Sequence, residues 1–449
     1  MTTPPNNVLS FMDQASLFWV QVSGHVHCIQ ATWVYRRDID LDGLRRTQDN
    51  LAHGLLGRRI ECSPLPTGRH RWVSWHEPPP IDVAEPVSSL EALTKWTAQR
   101  GQVPIDAAAG PPWHFGVLPI EGYGTAVSLV VSHTVIDGVG TGLVLAAAVK
   151  GIRRDFGYPP PRARSRWGAL AQDTRLAVAG LPEAARALVG GAKLARRTSK
   201  ELAAKPPPEP APVPHGAENT PTDAAIVRVF IDPDHWDSRA AALGGTQNSL
   251  FAAFAARLAH RVGRVRPEDG AVTVTFPVNA RTEDDTNGNP IRSVDVTVDP
   301  AAVTTDLRAV RADIKQALKL GLGNFKEQEV ALPLIPWTPK LLARKLVGQA
   351  VGANAYPVGC ANMGELDPAV ACVDGTPADT FWMNLVGQNL THGSLELKYG
   401  EMLLSGGRLC GKMFIGLRSY QPGKPHWRRE LCGHIADTFA DFELTGVIE

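Results

Sequence analysis

The stretch Thr125-Ala-Val-Ser-Leu-Val-Val-Ser-His-Thr-Val-Ile-Asp-Gly138 decides how this chain is read. Thr125 to Val131 is apolar and β-branched without polar alternation, the pattern of a central strand buried on both faces. It runs into Ser132-His133-Thr134-Val135-Ile136-Asp137-Gly138, an HxxxDG arrangement. After Gly142 the spacing of Leu143, Val144, Ala147, Ala148 and Ile152 predicts a helix. A buried strand, a turn and a Gly-rich helix start together present a side chain at the end of a sheet. A neutral imidazole placed there accepts the proton of an attacking hydroxyl and returns it to a departing thiolate. Asp137, four residues on, braces the turn, and Gly138 clears space for a thin substrate arm. The plainer reading of the same residues is a buried histidine and an aspartate N-cap for the following helix.

Outward from this stretch, Trp113 to Ile120 reads as a second strand, joined through the turn Glu121-Gly-Tyr-Gly124. Ile29 to Tyr35 and Arg71 to Trp75 suggest further strands. Asp40 to Leu56 and Ser89 to Arg100 suggest helices, so residues 1–157 form a mixed α/β unit. From Tyr158 an Ala- and Arg-rich helical crossover closes in Pro206-Pro-Pro-Glu-Pro-Ala-Pro-Val-Pro214, an extended linker, and together these occupy 158–222. A second α/β unit, 223–449, follows. Its expected strands are Ala225–Ile231, Ala271–Val278, Ile291–Val298, Tyr356–Met363, Thr380–Val386, Leu395–Tyr399 and Lys412–Leu417. Its expected helices are Ser249–Arg261, Asp306–Leu320 and Trp427–Phe442. No internal repeat is visible.

Composition narrows the function classes. With 449 residues and a formal net charge of +1, the chain carries no global field suited to nucleic acid. Its 6 cysteines are scattered among apolar neighbours without a CxxC pair, which favours reduced core thiols. The N-terminus lacks a basic and an apolar signal region, and no apolar run reaches membrane-spanning length, so a cytoplasmic protein is expected. Gly138-Val-Gly-Thr-Gly142 lacks the GxGxxG spacing of a dinucleotide site. No GxSxG elbow or HExxH pair occurs. His25 and His27 share a strand face without a third ligand, so neither a metal nor a bound cofactor is expected. Between Lys150 and Lys205 basic residues far outnumber acidic ones, with leucines and valines at helical spacings. This segment suits peripheral contact with an anionic membrane, an acidic carrier protein or CoA phosphates, or else is a solvated helix face.

His133 to Gly138 resembles the HxxxDG signature of the chloramphenicol acetyltransferase-like superfamily. That group includes peptide-synthetase condensation domains, polyketide-associated acyltransferases, plant alcohol acyltransferases and bacterial wax ester synthase/diacylglycerol acyltransferases. Other segments are similar in the same order. Leu9-Ser-Phe-Met-Asp13 looks like the opening of the wax ester synthase group. Pro104-Ile-Asp-Ala-Ala-Ala-Gly-Pro-Pro-Trp113 resembles the segment before its active-site hairpin, and Thr246-Gln-Asn-Ser249 a helix-start motif. Phe276-Pro-Val-Asn-Ala-Arg281 with Gly288-Asn289 is similar to a second-domain strand and turn, and Ala361-Asn-Met-Gly364 to a Ser-Asn-Val-Pro-Gly element. The resemblance implies an α/β fold of two such subdomains, mixed sheets with flanking helices, around a central tunnel. It implies His133 as general base and Arg281 as partner of Asp137; the residue-level alternative for Arg281 is a solvated turn. Many members carry a second histidine where Ser132 stands, in a structural role.

Charge develops on the thioester oxygen during transfer, so a hydrogen-bond donor is expected there; Asn248, Asn362 and Asn384 are the candidates. The leading expectation is acyl transfer from acyl-CoA to an alcohol. A carrier-protein-dependent tailoring or condensation-type transferase making an ester or amide is the alternative. The third is an inactive binding protein of the same fold.

Overall fold

The computed structural model describes residues 6–204, 219–278, 281, 285–290, 292–344, 356–396, 399–424 and 427–449. The Pro-rich linker at 206–214 lies outside them. Among the described residues two mixed sheets organise the chain. The first has five strands, in the order β11-β1-β6-β5-β4. They are β1 (Val26–Tyr35), β4 (Asp82–Val83), β5 (Trp113–Ile120), β6 (Gly124–Ser132) and β11 (Thr380–Gln388). The second has seven strands, ordered β14-β7-β13-β12-β10-β8-β9. These are β7 (Ala225–Ile231), β8 (Val272–Val278), β9 (Arg292–Val298), β10 (Val358–Glu365), β12 (Glu401–Leu409), β13 (Lys412–Tyr420) and β14 (Gly446–Ile448). A hairpin of β2 (Arg58–Glu61) and β3 (Arg71–Ser74) stands apart.

Helices α1 (Phe11–Ser23), α2 (Leu41–Leu51), α3 (Glu91–Gln102), α4 (Gly138–Val149) and α5 (Arg166–Ala204) belong to the first half and the crossover. Helices α6 (Pro233–Ala242), α7 (Gln247–Arg261), α8 (Arg308–Gln328), the short α9 (His392–Glu396) and α10 (Trp427–Asp441) belong to the second. The central strand is where its sequence puts it. β6 pairs with β1 on one side and β5 on the other, and its residues from Thr125 onward are buried. Each half has its own core, one around Trp33, Trp113 and Phe115, the other around Trp236, Phe251 and Phe254.

The halves are joined by a strand. β11 follows most of the second half in sequence, yet it pairs antiparallel with β1 and completes the first sheet. It also lies against the second sheet, where Ser405 Oγ donates to the Met383 carbonyl at 3.1 Å. A mixed α/β architecture of two sheets with flanking helices is thus present. Some expected elements differ. The helix predicted to reach Leu56 ends at Leu51, and a separate 3₁₀ turn covers Gly54–Leu56. The strand predicted at Leu395–Tyr399 is in part the turn of α9, and the strand itself is β12. The six cysteines are all free. Among the described residues no helix is long and apolar enough to cross a membrane.

Candidate active site

His133 stands one residue past β6. Its backbone N–H donates to the His27 carbonyl at 2.8 Å, so the β1–β6 ladder fixes the residue before any side-chain contact is made. The ring opens on a cleft of about 400 Å³. Met12, Ala15, Trp19 and Val20 of α1, Leu385 of β11 and His27 line it. Burial lowers the His133 pKa from its ordinary 6.5, while the ring's contact with its own carbonyl and the charge of Asp137 oppose the shift. The imidazole is therefore neutral at pH 7. Ser132 turns inward, its Oγ accepting from the Thr134 N–H at 3.3 Å.

Asp137 does two jobs at once. As N-cap of α4 its Oδ1 accepts from the Gly140 N–H at 2.7 Å. Its Oδ2 accepts from Arg281 Nε at 3.0 Å and Nη2 at 2.6 Å, and the two side chains are 4% and 2% exposed. The plain N-cap reading and the arginine-pair reading are thus both present in one carboxylate. Arg281 goes further and donates to the carbonyls of Asn287 at 3.0 Å and Gly288 at 2.8 Å. The guanidinium sits so close to α4 that a Cβ on Gly140 would come within 3.1 Å of Arg281 Nε and 2.9 Å of Ile136. At Gly138 a Cβ would meet only Met363 Sδ, at an ordinary 3.5 Å. The glycine demanded by local packing is Gly140.

A second clamp comes from α1. The carboxylate of Asp13, fully buried, accepts from the backbone N–H groups of Gly288 at 3.0 Å and Asn289 at 2.9 Å. Asn289 then puts its side-chain Nδ2 3.1 Å from His133 Nδ1, while its Oδ1 is buried without a hydrogen-bond partner. Gly288 must be glycine for this approach, since a Cβ there would lie 2.8 Å from the Thr134 carbonyl oxygen. Arg58, stacked on Trp72 at 3.8 Å, donates to the Thr286 carbonyl and at 3.5 Å to that of Val135. A loop of the second half is thereby fastened to the HxxxDG turn of the first. Asp13, Asn289 and Arg58 have no role assigned from sequence; their signal is three-dimensional, although Asp13 and Asn289 fall inside segments that carry the resemblance.

None of the three asparagines proposed as oxyanion donors lines the His133 cleft. Asn384 lies on β11 beside Leu385, and strand alternation sends it to the opposite face of the sheet. There it borders a separate cavity of about 210 Å³ with Gln30 and Arg418. Asn362 of β10 donates through Nδ2 to Asn248 Oδ1 at 2.7 Å, so these two satisfy one another. Neither is among the residues that line the His133 cleft. Among the described residues no group of His, Cys, Asp and Glu side chains is arranged to hold a metal ion.

Comparison with solved structures places this architecture. Polyketide synthase associated protein 5 from Mycobacterium tuberculosis matches with a TM-score of 0.54 at 15% identity, over 98% of this chain and 99% of its own. The wax ester synthase/diacylglycerol acyltransferase from Marinobacter aquaeolei VT8 matches at 0.55 and 14%, over 97% and 98%. The first condensation domain of the calcium-dependent antibiotic synthetase, in complex with a substrate analogue, matches at 0.56 and 13%, over 98% and 97%. This chain has the condensation-domain fold. By sequence, no family model and no curated protein matches it.

Proposed function

We propose that the protein is an acyltransferase in which His133 is the general base, moving an acyl group from a thioester to an acceptor hydroxyl. The observation that carries this reading is an imidazole at the wall of an open cleft, in contact with Asn289 and placed by the β1–β6 ladder. An amide offers either its oxygen or its NH₂ to a ring nitrogen by a half-turn of its last torsion. With the oxygen toward Nδ1–H, Nε2 is bare and accepts the proton of the acceptor hydroxyl. The alkoxide oxygen attacks the thioester carbonyl, and a tetrahedral intermediate forms. When it collapses the C–S bond breaks, the thiolate leaves, and the proton on Nε2 goes to sulfur. Asp137 and Arg281 act as positioning residues that hold the turn and the loop. Gly138 leaves the approach along the start of α4 unobstructed.

The apolar wall of α1 favours an alcohol or acyl group with hydrocarbon character. The donor is CoA or the phosphopantetheine of a carrier protein. The likeness in fold to the wax ester synthase and to the condensation domain is nearly the same, with TM-scores of 0.55 and 0.56, and supports both. The test is a thiol-release screen of acyl-CoAs of graded length against alcohols and amines, repeated with an acyl-loaded carrier protein. Mass spectrometry identifies the product. Release from acyl-CoA with an alcohol supports the leading reading; ester or amide formation with the loaded carrier alone supports the condensation-type alternative. No release from any donor, with His133→Ala silent, would leave the fold as a binding protein.

A further inference from the structure

The crossover helix α5 wears its hydrophobic residues on the wrong side. Its buried face, formed by Ala169, Asp173, Ala184 and Ala187, packs on the protein. Asp173 there is held by Arg71 at 3.2 Å and Arg164 at 2.8 Å. Gly190 comes so near the 3₁₀ segment Glu329–Trp337 that a Cβ would lie 2.5 Å from Val330. On the opposite side Trp167 is 82% exposed, Val178 59%, Leu181 48%, Leu188 62% and Val189 61%. At ~100° per residue these five fall within roughly a third of the helix circumference, a stripe about 33 Å long. A surface helix ordinarily turns its polar residues outward. Here the exposed Arg175, Arg186 and Lys193 run along one flank of the stripe, while Glu183 lies toward the packed side. Elsewhere in the basic stretch 150–205 the positive charge is partly absorbed, Lys150 by Asp367 and Arg164 by Asp173 and Glu61.

We propose that this outer face of α5 docks the protein on an anionic lipid surface. The stripe enters the boundary between headgroups and acyl chains, Trp167 sits at the interface, and Arg175, Arg186 and Lys193 meet lipid phosphates. Charge selects this occupant. A second copy packed stripe to stripe would bring the basic flanks of two helices into one interface. An acidic carrier protein would match the charge but leaves so long an apolar stripe uncovered. A membrane matches both.

The experiment is co-sedimentation of the full chain with phosphatidylcholine vesicles and with vesicles also carrying phosphatidylglycerol. Binding is expected to the anionic vesicles and to weaken as salt is raised. Leu188→Asp with Val189→Asp should lower partitioning about tenfold or more. Arg175→Gln, Arg186→Gln and Lys193→Gln together should lower it roughly fivefold per charge on anionic vesicles alone. Both variants alter exposed side chains, so far-UV circular dichroism and melting should match the parent. Three results would overturn the proposal. One is absence of binding to either vesicle, and a second is unchanged binding in both variants. The third is a parent dimer in analytical ultracentrifugation that Leu188→Asp with Val189→Asp converts to monomer without any vesicle binding.

Discussion

At the residue scale the proposed transfer requires a ring that stays neutral and offers a bare nitrogen to the cleft. Removing it as His133→Ala should lower kcat by about 10²–10⁴, the range for a positioned general base, with Tm little changed. The pH profile follows from the direction of its shift. Burial lowers the His133 pKa below 6.5, the base works in its neutral form, and so kcat/KM should hold level through neutrality. It should fall as pH drops through a value under 6.5, and an acid limb centred above 6.5 would contradict the assignment. In the proposed mechanism Asn289 acts through His133. Asn289→Ala should therefore lower kcat about tenfold with KM unchanged, and should move the acid limb as well, because it alters what faces Nδ1. A residue holding only the loop would change Tm and leave the profile where it was. The motif histidine was legible in the sequence from its place at the end of a buried strand. Asn289 was not, since a partner 156 positions away leaves no local pattern.

At the scale of elements, the site is a turn and a loop fastened by four buried charges, Arg281, Asp137, Asp13 and Arg58. Arg281 joins Asp137 to the carbonyls at 287 and 288, and Asp13 takes the N–H groups at 288 and 289. Taking away one partner strands the other charge without solvent, so Arg281→Ala should cost on the order of 3–5 kcal/mol in denaturant unfolding. If Arg281→Ala and Asp137→Ala each cost under about 1 kcal/mol, the pair is not what holds the loop. Gly288 and Gly140 matter here for close approach, each lacking a Cβ where another atom already stands. The strands around His133 were readable because β6 is uniformly apolar and β5 precedes it through a Gly-rich turn. Among those that were not, α1 and β12 have reasons visible in their packing. α1 buries Asp13, Gln14 and Leu17 on one side while Met12 and Trp19 face the cleft on another, so its hydrophobic period is blurred. β12 carries Ser405-Gly406-Gly407, which reads as a turn; the glycines are there because Phe251 and Phe414 press against the strand.

For the molecule as a whole, the decisive feature is that the first half is not closed without the second, while the core of the second is built from its own residues. β1 is flanked by β6 on one edge, and its other edge is covered only by β11, paired in register from Val26–Gln388 to Val34–Thr380. Without β11 the buried run Cys28 to Tyr35 would present an open, apolar strand edge, which templates aggregation. The first core would also lose Phe381, Trp382, Met383 and Phe414, which the second half contributes to it. The composition change near residue 158 marks where the crossover begins. It does not mark a cut that would release a self-sufficient domain, because the chain returns to the first sheet more than 200 residues later. We therefore expect a fragment spanning 1–204 to aggregate or to lack cooperative melting when made alone. Co-expression with 219–449 should recover a soluble complex, since all of β11 and the loop carrying Arg281 and Asn289 lie in the second piece. Size-exclusion chromatography and thermal melts decide the matter. A monomeric 1–204 fragment with a sharp transition would mean that β1 tolerates its bare edge, and that the halves meet as separate domains. In that event the His133 cleft, which takes Leu385 from β11 and Asn289 from the loop, would be assembled by docking and not by folding.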